Sequence, residues 1–136
     1  MINHNDAFSG TWKMNPPQSS FDANHQPSQG TLRFEPQAVG YRMYAAGVCD
    51  GRHVEEQTQT FMLDNHEYPV PGAPGVVTIS SRPNANTIHA IARNQGRTVG
   101  EATYTVSDDG LTLTAAVSGF DAQQRAFRTT VVWDRE

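Results

Sequence analysis

Any chemistry in this chain would have to come from scattered histidines, carboxylates and tyrosines. The histidines are His4, His25, His53, His66 and His89. None of them stands at a spacing that coordinates a metal ion. Glu55 and Glu56 are adjacent, so on a strand they point to opposite faces and cannot act as an acid–base pair. We therefore expect no catalytic residue, no metal and no cofactor.

Two weaker arrangements of residues leave an enzymatic function as the alternative hypothesis. Glu55 could act as a general base if it faced a dry cavity. His89 and Arg93 share one face of their predicted strand, which is either an inward polar pair or the solvent face. An isomerase, lyase or hydrolase would use such groups. The simpler interpretation places Glu55, near a turn, and His89 in solvent.

The elements that must position these residues are β-strands. Short runs rich in Thr, Val, Tyr and Phe alternate with turn residues, and no stretch of helical length has apolar residues at helical spacing. Short turns, including Asp50-Gly51 and Pro83-Asn84, make neighbouring strands antiparallel. The predicted strands are 8–14, 30–35, 40–48, 52–63, 67–70, 76–81, 87–93, 97–106, 111–118 and 126–134.

A meander of this many strands either leaves two open edges or closes on itself, and closure removes the edges. We therefore predict an all-β, up-and-down antiparallel closed barrel of about 8–10 strands. It would be a single domain over residues 1–136, with a flexible N-terminus at 1–7. The fourth strand is polar on both faces in its first half. That pattern indicates either a barrel opening to water or a strand that overhangs the sheet.

Gly10-Thr11-Trp12 resembles the Gly-x-Trp signature of calycins, the group that includes lipocalins and fatty-acid-binding proteins. The resemblance implies that Trp12 plugs the closed end of a lipocalin-like barrel. Its indole would meet a basic side chain from the last strand, Arg135 first and Arg128 second. The order of further segments is similar to that in small, mostly uncharacterised bacterial lipocalin-like proteins. Those segments are 67–72, 104–114 and 131–135.

Fatty-acid-binding proteins hold the ligand carboxylate with an Arg-x-Tyr pair on the last strand. The matching positions here are Val131 and Trp133, so the resemblance implies a neutral or weakly polar ligand. We expect a binding module for a small hydrophobic or amphipathic molecule, with the 71–75 and 18–29 loops flanking its entrances. The expected cavity lining is Tyr41, Met43, Gln57, Gln59, Phe61, Tyr104, Phe127 and Trp133.

Composition limits the other partners. The formal net charge is −4, from 10 basic and 14 acidic residues, and the basic residues do not cluster as a nucleic-acid surface would require. Apolar runs are too short to span a membrane. The first six residues lack the features of a signal peptide, so we expect a cytoplasmic protein, although a removed signal stays open. A filled barrel acting through protein contacts, as monomer or homodimer, is a further alternative.

Overall fold

The computed structural model describes residues 7–20, 27–49, 52–120 and 124–136. Their ten strands correspond one to one with the predicted ones, and the predicted all-β class is confirmed. A 3₁₀ turn at Pro16–Gln18 follows the first strand, and no helix in the described ranges is long and apolar enough to cross a membrane. The strands are β1 (Gly10–Met14), β2 (Pro27–Pro36), β3 (Tyr41–Cys49), β4 (Arg52–Phe61), β5 (Glu67–Pro69), β6 (Val76–Asn84), β7 (Thr87–Asn94), β8 (Arg97–Val106), β9 (Thr112–Phe120) and β10 (Ala126–Arg135).

All ten strands belong to one antiparallel sheet. The order is β4-β3-β2-β1-β10-β9-β8-β7-β6-β5, so neighbours in sequence are neighbours in the sheet except where β1 pairs with β10. In that pair Trp12 stands opposite Arg135, and Met14 opposite Trp133. The first and last strands are thus hydrogen-bonded to each other, which leaves β4 and β5 as the two edges.

Hydrogen bonds bring these two edges together at one end of the sheet. The backbone N–H of Leu63, just after β4, donates to the Ser80 Oγ of β6 at 2.9 Å. The Asn65 N–H donates to the Ser80 carbonyl at 2.8 Å. Arg82 Nη1 of β6 donates to the Tyr41 hydroxyl of β3 at 3.1 Å. Because β3 and β6 lie far apart in strand order, the sheet must curl to bring them into contact.

Trp12 occupies this same end, which we call the lower end. It is fully buried, and its Nε1 donates to the Phe8 carbonyl at 3.1 Å. The Arg135 guanidinium carbon lies 4.1 Å from the centre of the Trp12 ring, so the predicted partner is confirmed. Arg135 also donates to the carbonyls of Ala7, Ser9 and Gly110. Ala7 is therefore anchored, while residues 1–6 of the predicted flexible terminus lie outside the described residues.

The predicted turn at Pro83-Asn84 is wrong. Strand β6 continues to Asn84, which pairs with Thr87, and the turn lies at Ala85-Asn86. Pro83 has no N–H to give to a ladder, and it sits where the register shifts between Ser81 and Asn84. An irregularity thus accommodates the proline inside the strand. The predicted Asp50-Gly51 turn lies outside the described residues.

Candidate functional site

The end opposite Trp12, which we call the mouth, is where β7 ends and β10 begins. The 71–75 loop lies there, because Val76 pairs with Asn94. The described start of the 18–29 loop runs beside β10, where Ser20 bridges to Thr130. Residues 21–26 of that loop lie outside the described residues. The described parts of both predicted entrance loops are therefore placed towards the mouth.

The lower half of the interior is filled by large side chains. Neighbouring rings have centroids between 5.5 and 6.3 Å apart, in tilted, edge-on and stacked arrangements. Tyr104 of β8 reaches across to Phe34 of β2 and Phe61 of β4. We call the four buried rings Phe34, Phe61, Tyr104 and Trp133 the aromatic floor, and the first three contact one another.

Above the aromatic floor, the inward positions of one side of the interior carry small side chains, except for Phe127 of β10 at the rim. Buried Ile88, Tyr104, Leu113 and Val131 identify the inward face of β7 to β10, and alternation then gives the other inward positions. Pairing places Ala90, Ala102 and Val117 in one row. The small-residue wall consists of Thr78, Ala90, Ala92, Gly100, Ala102, Val117, Gly119 and Thr129.

Exposure shows that solvent reaches this wall from inside. Ala102, Val117 and Thr129 lie on strands with a partner on each side, point inward, and are still partly exposed. One row lower, Tyr104 and Ala115 have only 7% and 4% of their surface exposed. In the same row as Ala102, Ala90 of β7 has only 5% of its surface exposed. The exposed residues therefore indicate that the interior above the aromatic floor is open beside β8, β9 and β10.

Two glycines of the wall also shape the rim of the mouth. Gly100 faces Gly119, and a Cβ on Gly119 would lie 2.7 Å from the Val99 carbonyl oxygen, so no side chain fits there. A concavity of about 660 Å³ opens at this point, bordered by residues 98–101, 118–120 and 126–128. Only β8, β9 and β10 border it. It is a feature of the rim, because the opposite side of the barrel contributes nothing to it.

The predicted cavity-lining residues separate into two groups. Five are buried in the core with 1–7% of their surface exposed, namely Tyr41, Met43, Phe61, Tyr104 and Trp133. Gln59 is half-buried and Gln57 is exposed on the edge strand β4, while Phe127 is half-buried and borders the rim concavity. The sequence reasoning missed the small-residue wall. The sequence pattern that could have indicated this wall is Gly, Ala, Val or Thr at alternate positions of consecutive strands.

Trp133 and Tyr104 each carry a polar group on a buried side chain. Within the described residues, Trp133 Nε1 is buried and has no hydrogen-bond partner. Its ring packs closely on Gly30, where a Cβ would lie 3.1 Å from Trp133 Cη2. Burial raises the pKa of the Tyr104 hydroxyl to about 12. At neutral pH both groups are therefore hydrogen-bond donors.

The groups on which an enzyme would depend do not converge. His89 lies between Ile88 and Ala90, which are buried inside, so it belongs to the outer face. There its Nε2 is 2.6 Å from Glu101 Oε2. Glu55 is exposed on β4. Among the residues that the structure describes, no three His, Cys, Asp or Glu side chains could together hold a metal ion.

The architecture matches solved structures of the calycin type. Zebrafish ileal bile acid-binding protein in complex with cholic acid is 10% identical, with a TM-score of 0.60 over 96% of this chain and 99% of that one. The extracellular fatty acid binding protein As-p18 is also 10% identical, with a TM-score of 0.59 over 96% and 97%. The fluorescent protein UnaG is 12% identical, with a TM-score of 0.58 over 95% and 97%.

These likenesses confirm the predicted calycin-like fold class. At such identities they show the fold alone. No family model matches the sequence, and no curated protein matches it either.

Proposed function

We propose that this chain binds a small hydrophobic or amphipathic molecule between the small-residue wall and the aromatic floor. The observation that carries the proposal is the partial exposure of inward-facing Ala102, Val117 and Thr129. When a ligand covers apolar surface that faces water inside a barrel, the free energy of binding gains about 25 cal/mol per Å² of that surface. Small side chains leave room for that ligand, and the aromatic floor gives it a rigid apolar base.

The structural neighbours support the same class of ligand. One is a bile acid-binding protein with cholic acid bound, and another is a fatty acid binding protein. Bile acids and fatty acids are both amphipathic, and both are compatible with an apolar cavity that opens at one end. The proposal covers that chemical class and not a particular molecule.

Displacement of the neutral dye Nile red tests the proposal. The dye should bind saturably, with one dye per chain, and amphipathic competitors should displace it. Ala102→Phe fills the space beside the wall and should weaken dye binding at least about tenfold, the equivalent of about 1.4 kcal/mol. The matched control is Thr105→Phe on the same strand, because Thr105 is exposed on the outer face and adds its bulk outside.

Wild type and Thr105→Phe should bind the dye equally. Equal binding by Ala102→Phe would place the dye elsewhere on the protein. Absence of saturable binding in the wild type would refute an interior ligand site.

A further inference from the structure

The aromatic floor contains a buried donor that the fold leaves unused. Trp133 is 93% buried, with 7% of its surface exposed, and its Nε1 has no hydrogen-bond partner among the described residues. Trp12 is equally enclosed, yet its Nε1 donates to the Phe8 carbonyl. Buried N–H groups are nearly always hydrogen-bonded, because an unmatched donor costs free energy. The unmatched donor of Trp133 therefore requires an explanation.

The register of β10 places this donor beneath the small-residue wall. Its six-membered ring and the Met14 side chain both lie over Gly30 of β2. The five-membered ring, which carries Nε1, is covalently nearer to β10. Strand β10 also supplies Thr129 of the small-residue wall, four residues before Trp133 on the same inward face. Trp133 pairs with Leu113, one row below Ala115 and Tyr104, so the indole lies beneath the small-residue wall in the row next to that of Tyr104.

Tyr104 offers a second donor at the base of the same wall. It precedes Val106 and follows Ala102 on the inward face of β8. Its ring is fixed by edge-on contacts with Phe34 and Phe61, with centroids 6.1 and 5.5 Å away. Burial raises the pKa of its hydroxyl to about 12, so the hydroxyl keeps its proton at neutral pH. A fixed ring with a protonated hydroxyl is suited to bind an acceptor on a ligand.

The surroundings favour an uncharged acceptor. The one charged side chain at a described inward position of β7 to β10 is Arg135, and it lies at the lower end against Trp12. Arg82 faces inward from β6, but its guanidinium lies at the lower end, where it donates to the Tyr41 hydroxyl and the Ala85 carbonyl. A carboxylate on the aromatic floor would lose its hydration without gaining a cation. A ketone, ester or amide carbonyl needs only the donors that are present.

We propose that Trp133 Nε1 and the Tyr104 hydroxyl bind a neutral carbonyl group of the ligand, so that the site selects uncharged carbonyl-bearing amphiphiles over carboxylates. This inference rests on the proposed function, because it assigns the polar end of the same ligand. The apolar chain of the ligand would lie along the small-residue wall towards the mouth.

Three probes of equal chain length test the selectivity: a long-chain methyl ketone, the matching carboxylate and the matching hydrocarbon. Each competes with Nile red at a pH of about 8, where the carboxylate is ionised. The ketone should bind about five- to tenfold more tightly than either of the others, the gain expected from one or two net hydrogen bonds. Tighter binding of the carboxylate would point to Arg82 instead and overturn the inference.

Two conservative variants test the assigned donors. Trp133→Phe and Tyr104→Phe keep an aromatic ring but remove the N–H or O–H. Each should weaken ketone binding about fivefold and change hydrocarbon binding less than twofold. Tyr44→Phe is the control, because the Tyr44 hydroxyl lies beside Glu35 on the outer face and its loss should change nothing. If Trp133→Phe does not fold, Tyr104→Phe alone carries the test.

The outcomes distinguish this inference from the proposed function. If all three probes displace the dye but the variants lose ketone and hydrocarbon binding equally, the donors are not assigned correctly and the interior site remains. If no probe displaces the dye and Ala102→Phe binds it like the wild type, the interior site itself is refuted. Selective loss of ketone binding supports both.

Discussion

Replacing Ala102 by Leu measures how much room the interior has above the aromatic floor. Ala102 points inward from β8, stands between Ala90 and Val117 in its row, and is partly exposed. Ala115 also points inward but pairs with Tyr104, and only 4% of its surface is exposed. Ala115→Leu adds the same hydrocarbon one row lower, in the filled part. The two variants therefore form a matched pair.

The two substitutions should change the free energy of unfolding by different amounts. At Ala115 the added atoms have no space, and overpacking of a filled core costs about 1–3 kcal/mol. At Ala102 each added carbon that becomes covered contributes up to about 0.8 kcal/mol. Ordering the leucine side chain costs about 0.5–1 kcal/mol. Ala102→Leu should therefore stay within about 1 kcal/mol of the wild type, in either direction.

Equilibrium unfolding in urea separates these expectations. With a slope of about 1–3 kcal/mol per molar urea, a difference of about 2 kcal/mol between the variants separates their midpoints by about 0.7–2 M. An unchanged slope would show that both variants unfold the same structure. If Ala102→Leu loses as much stability as Ala115→Leu, the interior above the aromatic floor is packed and the reasoning from exposure is wrong.

Three further predictions concern the core. Arg135→Lys should lower the free energy of unfolding by about 2 kcal/mol, because an ammonium cannot reproduce the contact with Trp12 and the three carbonyl hydrogen bonds. Urea unfolding measures this loss, and no loss would contradict a structural role for Arg135. Ser80→Ala should cost about 1–2 kcal/mol in the same assay, since it leaves the Leu63 N–H without its acceptor; a neutral effect would show that water replaces the hydroxyl. Tyrosine ionises at a pH of about 10 in the unfolded chain, whereas burial raises the pKa of Tyr104 to about 12 in the folded protein. Between these two pH values the unfolded state binds fewer protons than the folded state, so the free energy of unfolding should fall by about 2–3 kcal/mol as the pH rises. Tyr104→Phe should lack this component in alkaline unfolding, and equal falls in both proteins would contradict it.

The strands were predictable because turn residues and alternation are local signals. Asn94-Gln95-Gly96 ends one strand and begins the next where the sequence indicates, with Gln95 and Gly96 both at positive φ. Pro83 misled the prediction, because a proline was taken to end a strand that it only interrupts. The contact of Trp12 with Arg135 followed from a family resemblance rather than from spacing.

The candidate site was less predictable, because alternation gives the face of a side chain but not its depth. Tyr41 and Phe61 were predicted to line a cavity, and they do face inward, but they lie in the filled lower half. Depth depends on the stagger between strands, which no short segment encodes. The unmatched Trp133 Nε1 could not be predicted either, since it depends on which atoms surround the ring in the folded chain.

The two edges of the sheet have a consequence for how the protein behaves at high concentration. Unpaired strands invite other chains to extend the sheet, unless charge, shortness or proline prevents it. Here β4 exposes Glu55 and Glu56, and β5 has only three residues and ends in Pro69. The polar fourth strand thus also protects the protein against fibrillar self-association.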